Sequence, residues 1–233
     1  MISTNLPTSS ISIIIPARNE AENLVRLGKK LNRTGILEII LCDGNSTDNT
    51  AEVARDLGMR VVTCPPGRGM QQNRGAEIAQ GEILFFLHCD TIPPPDFSAH
   101  IRSELATPGV AVGAFRLALD SSGTTYRFIE WGVRLRNSLF GAVYGDQGIF
   151  LHQKTFHQVG GFPDQPLLED YELIRRLRPQ GSIALAPVTV HTSARRWQKL
   201  GPVRTTIINQ LMIIGYHLGV SPTKLAKWYY QHP

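Results

Sequence analysis

The chain has 233 residues, of which 42% are hydrophobic and 18% are charged. This length and composition fit one α/β domain with a substantial core and exclude a wholly disordered chain. The formal net charge of +5 suits a phosphate-bearing substrate, an anionic membrane surface or nucleic acid. The basic residues are dispersed and form no stripe interleaved with aromatic residues, so we expect no nucleic-acid partner.

Three cysteines, Cys42, Cys64 and Cys89, are widely spaced and form no Cys-x-x-Cys pair. This pattern excludes a disulfide framework and a zinc site, and it predicts buried, reduced thiols. Residues 1–10 lack the basic start and apolar core of a signal peptide. We therefore expect a cytoplasmic protein, with a position at the inner face of the membrane left open.

The first half of the sequence alternates between strand-like and helix-like patterns. The β-branched run at 11–15, stopped by Pro16, predicts a buried parallel strand. Asn19 and Glu22 resemble a capping box that opens a helix reaching to about residue 32. The pattern then predicts strands at 38–42, 60–63 and 83–87 and helices at about 50–58 and 70–79. This alternation predicts a mostly parallel sheet covered by helices on both faces.

The second half is less regular. It predicts a helix at 124–138 lying over the site and a tight turn at 160–163. The other predicted elements are strands at 111–119, 148–152 and 188–190 and helices at 168–177, 202–218 and 222–230.

The stretch 207–220 is strongly apolar, but its 14 residues fall short of the roughly 20 that span a bilayer. It predicts a core-packing helix. Interfacial membrane contact, favoured by the upstream residues Arg195, Arg196, Lys199 and Arg204, and contact within a homo-oligomer are the alternatives.

In parallel sheets, ligands bind beyond the carboxyl ends of the strands. The residues that follow the four predicted strands of the first half are 17–20, 43–45, 65–69 and 88–90. We expect all four segments to face one crevice.

Several side chains in these segments have two interpretations. Asp90 ends an apolar strand, where it can ligate a divalent cation that neutralises a diphosphate, or can simply form a turn. Asp43 fits an Asx turn as well as it fits a hydrogen-bond acceptor for a base or ribose. Arg68, between two glycines, suits a phosphate group or a solvated turn.

Glu169 and Asp170 form a pair of adjacent carboxylates at the start of a predicted helix. One of them suits a helix cap. The other suits a general base that deprotonates an acceptor hydroxyl.

Six segments taken together resemble the family-two inverting glycosyltransferases with the GT-A fold. They occur in the family's order and cover most of the chain: 12–24, 42–50, 68–76, 81–91, 160–164 and 167–177. Three further segments are similar to a small bacterial subgroup described as selenodomain-associated and glycosyltransferase-like: 86–91, 145–150 and 193–197.

The resemblance implies one domain over residues 1–233. Residues 11–90 form its nucleotide-sugar-binding half, 91–200 its acceptor and catalytic half, and 201–233 its C-terminal helices. It also implies that the nucleoside is held by Pro16, Ala17, Glu20 and Asp43.

The same resemblance implies roles for five further residues. Arg68 reaches the base or the phosphates, and Asp90 matches the last Asp of the Asp-x-Asp motif, whose Mg²⁺ or Mn²⁺ bridges the diphosphate. Asp170, in the Glu169–Asp170 motif, matches the catalytic base. Arg196 and Trp197 match the end of the Gln-x-x-Arg-Trp motif, on the side of the acceptor and the leaving diphosphate.

The sequence departs from the family pattern at two positions. His88 replaces the first Asp of Asp-x-Asp, where it could bind ribose or ligate the metal. Ser193 replaces the Gln of Gln-x-x-Arg-Trp, which argues against a processive synthase. His191 is a candidate third metal ligand, because related enzymes supply a histidine from that region.

The function predicted from the resemblance is inverting transfer of a hexose from a nucleoside-diphosphate sugar to a hydroxyl acceptor whose identity the sequence leaves unknown. One alternative is a nucleotidyltransferase that makes such a sugar, although residues 16–20 contain no glycine-rich loop. The other is a non-catalytic sugar-nucleotide-binding protein, which the missing first Asp would suit.

Overall fold

The computed structural model describes residues 9–141 and 143–231. Its centre is one eight-stranded sheet. The strands are β1 (Ile11–Ala17), β2 (Glu38–Asp43), β3 (Arg60–Thr63), β4 (Ile83–Phe86), β5 (Thr91–Ile92), β6 (Val110–Leu119), β7 (Ile149–His152) and β8 (Ser182–Thr192). Their order across the sheet is β3-β2-β1-β4-β7-β6-β8-β5.

Ten helices surround the sheet in the described part of the chain. They are α1 (Ala21–Lys30), α2 (Thr50–Asp56), α3 (Arg68–Ile78), α4 (Phe97–Leu105), α5 (Thr124–Phe140), α6 (Gln153–Gln158), α7 (Glu169–Leu177), α8 (Arg195–Leu200), α9 (Pro202–His217) and α10 (Pro222–Gln231). None of the helices within residues 9–141 and 143–231 combines the length and hydropathy needed to cross a bilayer.

The strands of the first half run parallel, as the sequence predicts. β1 lies between β2 and β4, and β3 pairs with the outer edge of β2. The second half makes the sheet mixed, because β7 runs antiparallel to both β4 and β6 and β5 runs antiparallel to β8. β6 and β8 are parallel to each other.

Helices cover both faces of the sheet, which confirms the predicted layering. Successive side chains of a strand point to opposite faces. Ile13 and Ile15 of β1 therefore belong to one buried cluster, which includes side chains of α1, α2 and α4. Ile14 belongs to a second cluster, which includes side chains of α3, α6 and α7. Cys42, Cys64 and Cys89 are buried and unbridged, in agreement with the sequence.

The predicted capping box at the start of α1 is wrong. Asn19 has a positive φ of 55°, and its Oδ1 accepts a hydrogen bond from the Thr47 amide 2.8 Å away. The side chain therefore joins two loops that follow β1 and β2, and α1 begins at Ala21 without a side-chain cap.

The structure contains helices α4, α6 and α8 and strand β5, none of which the sequence pattern predicts. β8 is also much longer than the predicted strand at 188–190. Pro187 interrupts the pattern because it cannot donate a ladder hydrogen bond. The strand accommodates it through a shift in register opposite Phe115 and Arg116, so pairing continues on both sides.

The buried amide of Gln71 holds the ends of β1 and β2 together. Its Nε2 donates to the carbonyl oxygen of Ala17 at 2.8 Å and to that of Cys42 at 2.7 Å. The Ala17 carbonyl also accepts from the Gly44 amide. Helix α3 therefore fixes the edge of the sheet where the first two strands end.

We predict that Gln71→Leu lowers the free energy of unfolding by about 2 kcal/mol, because the two carbonyls lose a buried donor. Urea denaturation measures the change. Gln80→Leu, at an exposed position just beyond the same helix, is the control and should change stability by less than about 0.5 kcal/mol. Equal effects of the two substitutions would contradict a role for the Gln71 amide.

Candidate active site

A crevice of about 310 Å³ lies beside the carboxyl end of β4, below helices α7–α10. Seven residues that the sequence singles out line it together. They come from four separate parts of the chain: Arg68, His88, Asp90, Glu169, Asp170, Arg196 and Trp197. The structure therefore brings these seven side chains together, with the expected segments 65–69 and 88–90 each contributing to the crevice.

The carboxylate of Asp170 is held by backbone amides at both oxygens. Oδ2 accepts from the Gly145 amide at 2.7 Å, and Oδ1 accepts from the Tyr171 amide at 2.7 Å. Leu168, the residue before α7, adopts a left-handed conformation with φ 63°. This strained turn aims the first residues of the helix into the crevice.

Glu169 points toward helix α3, where its Oε1 lies 3.4 Å from the Nε of Arg68. Its side chain is only 6% exposed. Burial raises the pKa of Glu169, while the neighbouring guanidinium opposes that rise. The carboxylate in turn raises the pKa of Arg68, which also contacts Tyr230 of α10. Glu169 therefore acts in the structure as the ion-pair partner of Arg68 and not as a helix cap.

His88 lies beside Asp170 at the end of β4. Burial, together with the charge of Arg68, lowers the pKa of His88, so its imidazole is neutral at neutral pH. A β-carbon at Gly145 would lie 3.1 Å from His88 Nε2 and 3.3 Å from Asp170 Oδ2. The absence of a side chain at Gly145 is what allows these two groups to approach the same point.

Arg195 is a site residue that the sequence analysis does not select. Its Nη2 lies 3.2 Å from Asp90 Oδ2 and 3.5 Å from Glu20 Oε2. The guanidinium therefore links the end of β4 to the loop after β1. Its position next to the Arg196–Trp197 motif is the only sequence signal that could have found it.

Three buried side-chain atoms in the described part of the chain have no hydrogen-bond partner, and all three belong to residues that line this crevice. They are Asp146 Oδ1, Arg196 Nε and Trp197 Nε1. Buried polar atoms are normally paired, so one acceptor and two donors without partners mark a place where a polar ligand fits. Asp146 has no role predicted from the sequence, although it lies within a segment that carries the subgroup resemblance.

Arg196 is fixed by the C-terminal helix. Its guanidinium donates to the hydroxyl of Tyr229 and stacks on that ring, 3.9 Å from the centroid. A stacked guanidinium keeps its charge while losing little freedom on binding an anion.

None of the four predicted nucleoside residues lines the crevice. Pro16 and Ala17 are buried at the end of β1. Asp43 is buried at the end of β2, where its carboxylate accepts from the Ser46 amide, three residues further on, at 3.2 Å. Glu20 reaches the crevice only through Arg195. The strand ends are therefore adjacent, but their side chains do not all face one cavity.

His191 is not brought together with Asp90. It is exposed, whereas the next residue, Thr192, lines the crevice. Adjacent residues of a strand point to opposite faces, which places His191 away from the site. Among the described residues, no three His, Cys, Asp or Glu side chains are grouped to hold a metal ion by themselves.

The donor set at the crevice nevertheless fits a cation that is shared with a substrate. Mg²⁺ is commonly bound through one or two carboxylates together with substrate phosphates. Asp90 supplies one such carboxylate, and the neutral imidazole of His88 lies in the same crevice.

Comparison with known proteins identifies a family and a fold. The family model for glycosyl transferase family 2 matches residues 12–160. A 4,4'-diaponeurosporenoate glycosyltransferase of Staphylococcus haemolyticus is 37% identical over 92 residues, which make up 36% of this chain and 24% of that protein. The chain thus spans about a quarter of the length of this relative.

Longer matches are more distant. A PGL/p-HBAD biosynthesis glycosyltransferase of Mycobacterium bovis is 26% identical over 217 residues, covering 85% of this chain and 80% of that protein. A mannosyltransferase from Pyrobaculum calidifontis, solved in complex with GDP-Man and Mn²⁺, superposes with a TM-score of 0.61 at 20% identity. That match covers 78% of this chain and 56% of the other. The predicted GT-A fold is confirmed.

We predict that Asp146→Asn stabilises the protein at pH 8 by roughly 3 kcal/mol. Burial raises the pKa of Asp146 to about 6, with Asp170 and Asp90 adding to the rise and Arg136 opposing it. Because the folded protein binds this proton more tightly than the unfolded chain does, stability falls as pH rises from about 4 to 6. Asparagine does not ionise, so the stability of the variant should not decrease in this way as pH rises.

Urea denaturation at pH 4, 6 and 8 measures this difference, which should be close to zero at pH 4 and largest at pH 8. Asp56→Asn, at an exposed position, is the matched control and should show no such trend. A destabilised Asp146→Asn variant at pH 8 would contradict the account.

Proposed function

Because the chain belongs to glycosyl transferase family 2, whose model covers well over half of it, we propose that it transfers a sugar from a nucleoside-diphosphate sugar to a hydroxyl acceptor with inversion. The protein is a glycosyltransferase. The proposal of inverting transfer from a nucleoside-diphosphate sugar rests on one observation. Asp170, three arginines and the residues with unpaired polar atoms all line one crevice.

Asp170 is the proposed general base. Its carboxylate takes the proton of the acceptor hydroxyl while the acceptor oxygen bonds to the anomeric carbon. The bond from that carbon to the diphosphate oxygen breaks in the same displacement, and the nucleoside diphosphate leaves with the bonding electrons. The two backbone amides on Asp170 support this role, because they fix the carboxylate without neutralising it.

The leaving diphosphate is stabilised by the guanidinium groups of Arg68, Arg195 and Arg196, which all line the crevice. Charge placed in advance where negative charge develops lowers the barrier. A divalent cation, Mg²⁺ or Mn²⁺, would neutralise the diphosphate charge, and Asp90 would hold it together with phosphate oxygens. His88 would assist as a neutral hydrogen-bonding or ligating group.

The nucleoside is proposed to bind over the ends of β1 and β2, so that residues 11–90 form the donor half and 91–200 the catalytic half. Pro16 and Ala17 would help to hold the base, and Asp43 and Glu20 would accept hydrogen bonds from it or from the ribose. The bridge from Glu20 through Arg195 to Asp90 supports a continuous path from nucleoside to diphosphate.

We predict that Asp170→Asn reduces sugar transfer and donor hydrolysis by 10²–10⁴-fold, because the amide cannot accept the proton. Donor binding should change little. Activity is measured with a panel of nucleotide sugars and Mn²⁺, and binding by calorimetry.

Asp164→Asn, at an exposed position outside the crevice, is the control and should keep full activity. Full activity of Asp170→Asn would overturn the assignment of the base. Binding of a donor to the unaltered protein with no turnover on any acceptor would support the non-catalytic alternative.

We also predict that Mn²⁺ strengthens nucleoside-diphosphate binding at least tenfold and that Asp90→Asn abolishes this gain. The physical reason is that the Asp90 carboxylate and the phosphate oxygens hold the cation jointly, so Mn²⁺ alone should bind weakly. Calorimetric titration with and without Mn²⁺ measures both effects. Asp120→Asn, beside His191, is the matched control, and loss of the Mn²⁺ gain in that variant would place the cation elsewhere.

A further inference from the structure

Helix α9 exposes a continuous row of large apolar side chains. Val203, Ile207, Leu211, Ile214 and Leu218 are between 46% and 78% exposed. Their spacing of four, four, three and four residues places them on one side of the helix. The opposite side is buried and packs onto the domain. The apolar character of α9 therefore exceeds what its role in the core requires.

Helix α5, which packs against α9, carries a second exposed row. Phe128, Trp131 and Leu135 follow one another at intervals of three and four residues and are 43–71% exposed. We call the two rows together the α5–α9 face. Its members are Phe128, Trp131, Leu135, Val203, Ile207, Leu211, Ile214 and Leu218. Exposed apolar rows on two neighbouring helices mark an interaction site.

The chain around this face is positively charged. Residues 195–231, which form α8, α9 and α10, contain six lysines and arginines and no aspartate or glutamate. Arg195 and Arg196 line the crevice, whereas Lys199, Arg204, Lys224 and Lys227 are exposed. Arg134 of α5 and Arg204 of α9 are exposed and form no ion pair with any described residue. Glu130, the acidic residue of α5, is buried and paired with Arg127, so it does not contribute negative charge to the surface.

We propose that the α5–α9 face docks the protein on an anionic membrane surface. Exposed aromatic and aliphatic side chains bordered by basic residues suit the interface between acyl chains and negatively charged headgroups. A second copy of the chain is a poorer occupant, because two such faces would bring their arginines together. The positive charge of the region therefore favours an anionic membrane over a second copy of the chain.

The face lies beside the crevice. Asn209 and Met212, on the inner side of α9, line the crevice itself. A groove of about 750 Å³ between α5, α7 and α9 shares Tyr144 and Ile213 with it. This step rests on the proposed function. The arrangement would direct an acceptor held in the membrane along the groove to Asp170.

The test is co-sedimentation of the full chain with vesicles of phosphatidylcholine alone or mixed with phosphatidylglycerol. The unaltered protein should bind the anionic vesicles at least tenfold more tightly than the neutral ones, and high salt should weaken that binding. The double variant Ile207→Ser and Ile214→Ser should lose at least tenfold in affinity for the anionic vesicles. Leu37→Ser, at an equally exposed apolar residue far from the face, should bind like the unaltered protein.

Donor hydrolysis without vesicles separates this proposal from the proposed function, since the double variant should hydrolyse the donor normally. Circular dichroism and thermal melting check that each variant is folded. Failure of the unaltered chain to bind anionic vesicles, or undiminished binding by the double variant, would overturn the proposal. Dimerisation in sedimentation velocity that the double variant abolishes, without vesicle binding, would assign the face to a second copy instead.

Discussion

The ion pair between Arg68 and Glu169 joins helix α3, which packs on the strands of the first half, to helix α7 of the second half. The two helices approach so closely there that a β-carbon at Gly69 would lie 3.0 Å from the carbonyl oxygen of Pro163. Asp170 follows Glu169 directly, so its position opposite the strand ends depends on this contact. The same guanidinium lowers the pKa of His88 and limits the rise in the pKa of Asp146.

Burial of so many ionisable groups is costly for folding, and the crevice does not offset that cost fully. Glu169 has a charged partner, but Asp146, Arg196 and Trp197 each retain a buried atom without a hydrogen-bond partner. Polar groups that are held in place and left unsatisfied are typical of sites that bind a charged substrate, because the ligand completes their hydrogen bonds. The conflict between stability and function is concentrated in this crevice.

Much of the first half of the chain was predictable because it depends on local patterns. Short apolar runs predict the parallel strands, and the polar residues that follow them include Arg68, His88 and Asp90. The second half resists prediction for physical reasons. The face on which His191 lies depends on the register shift near Pro187, which no local pattern reveals. Arg195 and Asp146 acquire their roles only through burial and contacts with residues distant in sequence.

The measurement that tests the central claim most directly is a crystal structure of the protein with a nucleoside diphosphate and Mn²⁺. The account predicts the diphosphate in the crevice beside Asp90, with Arg68, Arg195 and Arg196 around it and at least one of the unpaired atoms of Asp146, Arg196 and Trp197 in a new hydrogen bond. A nucleotide bound at another surface, with Arg195 still paired to Glu20 and Asp90, would contradict it.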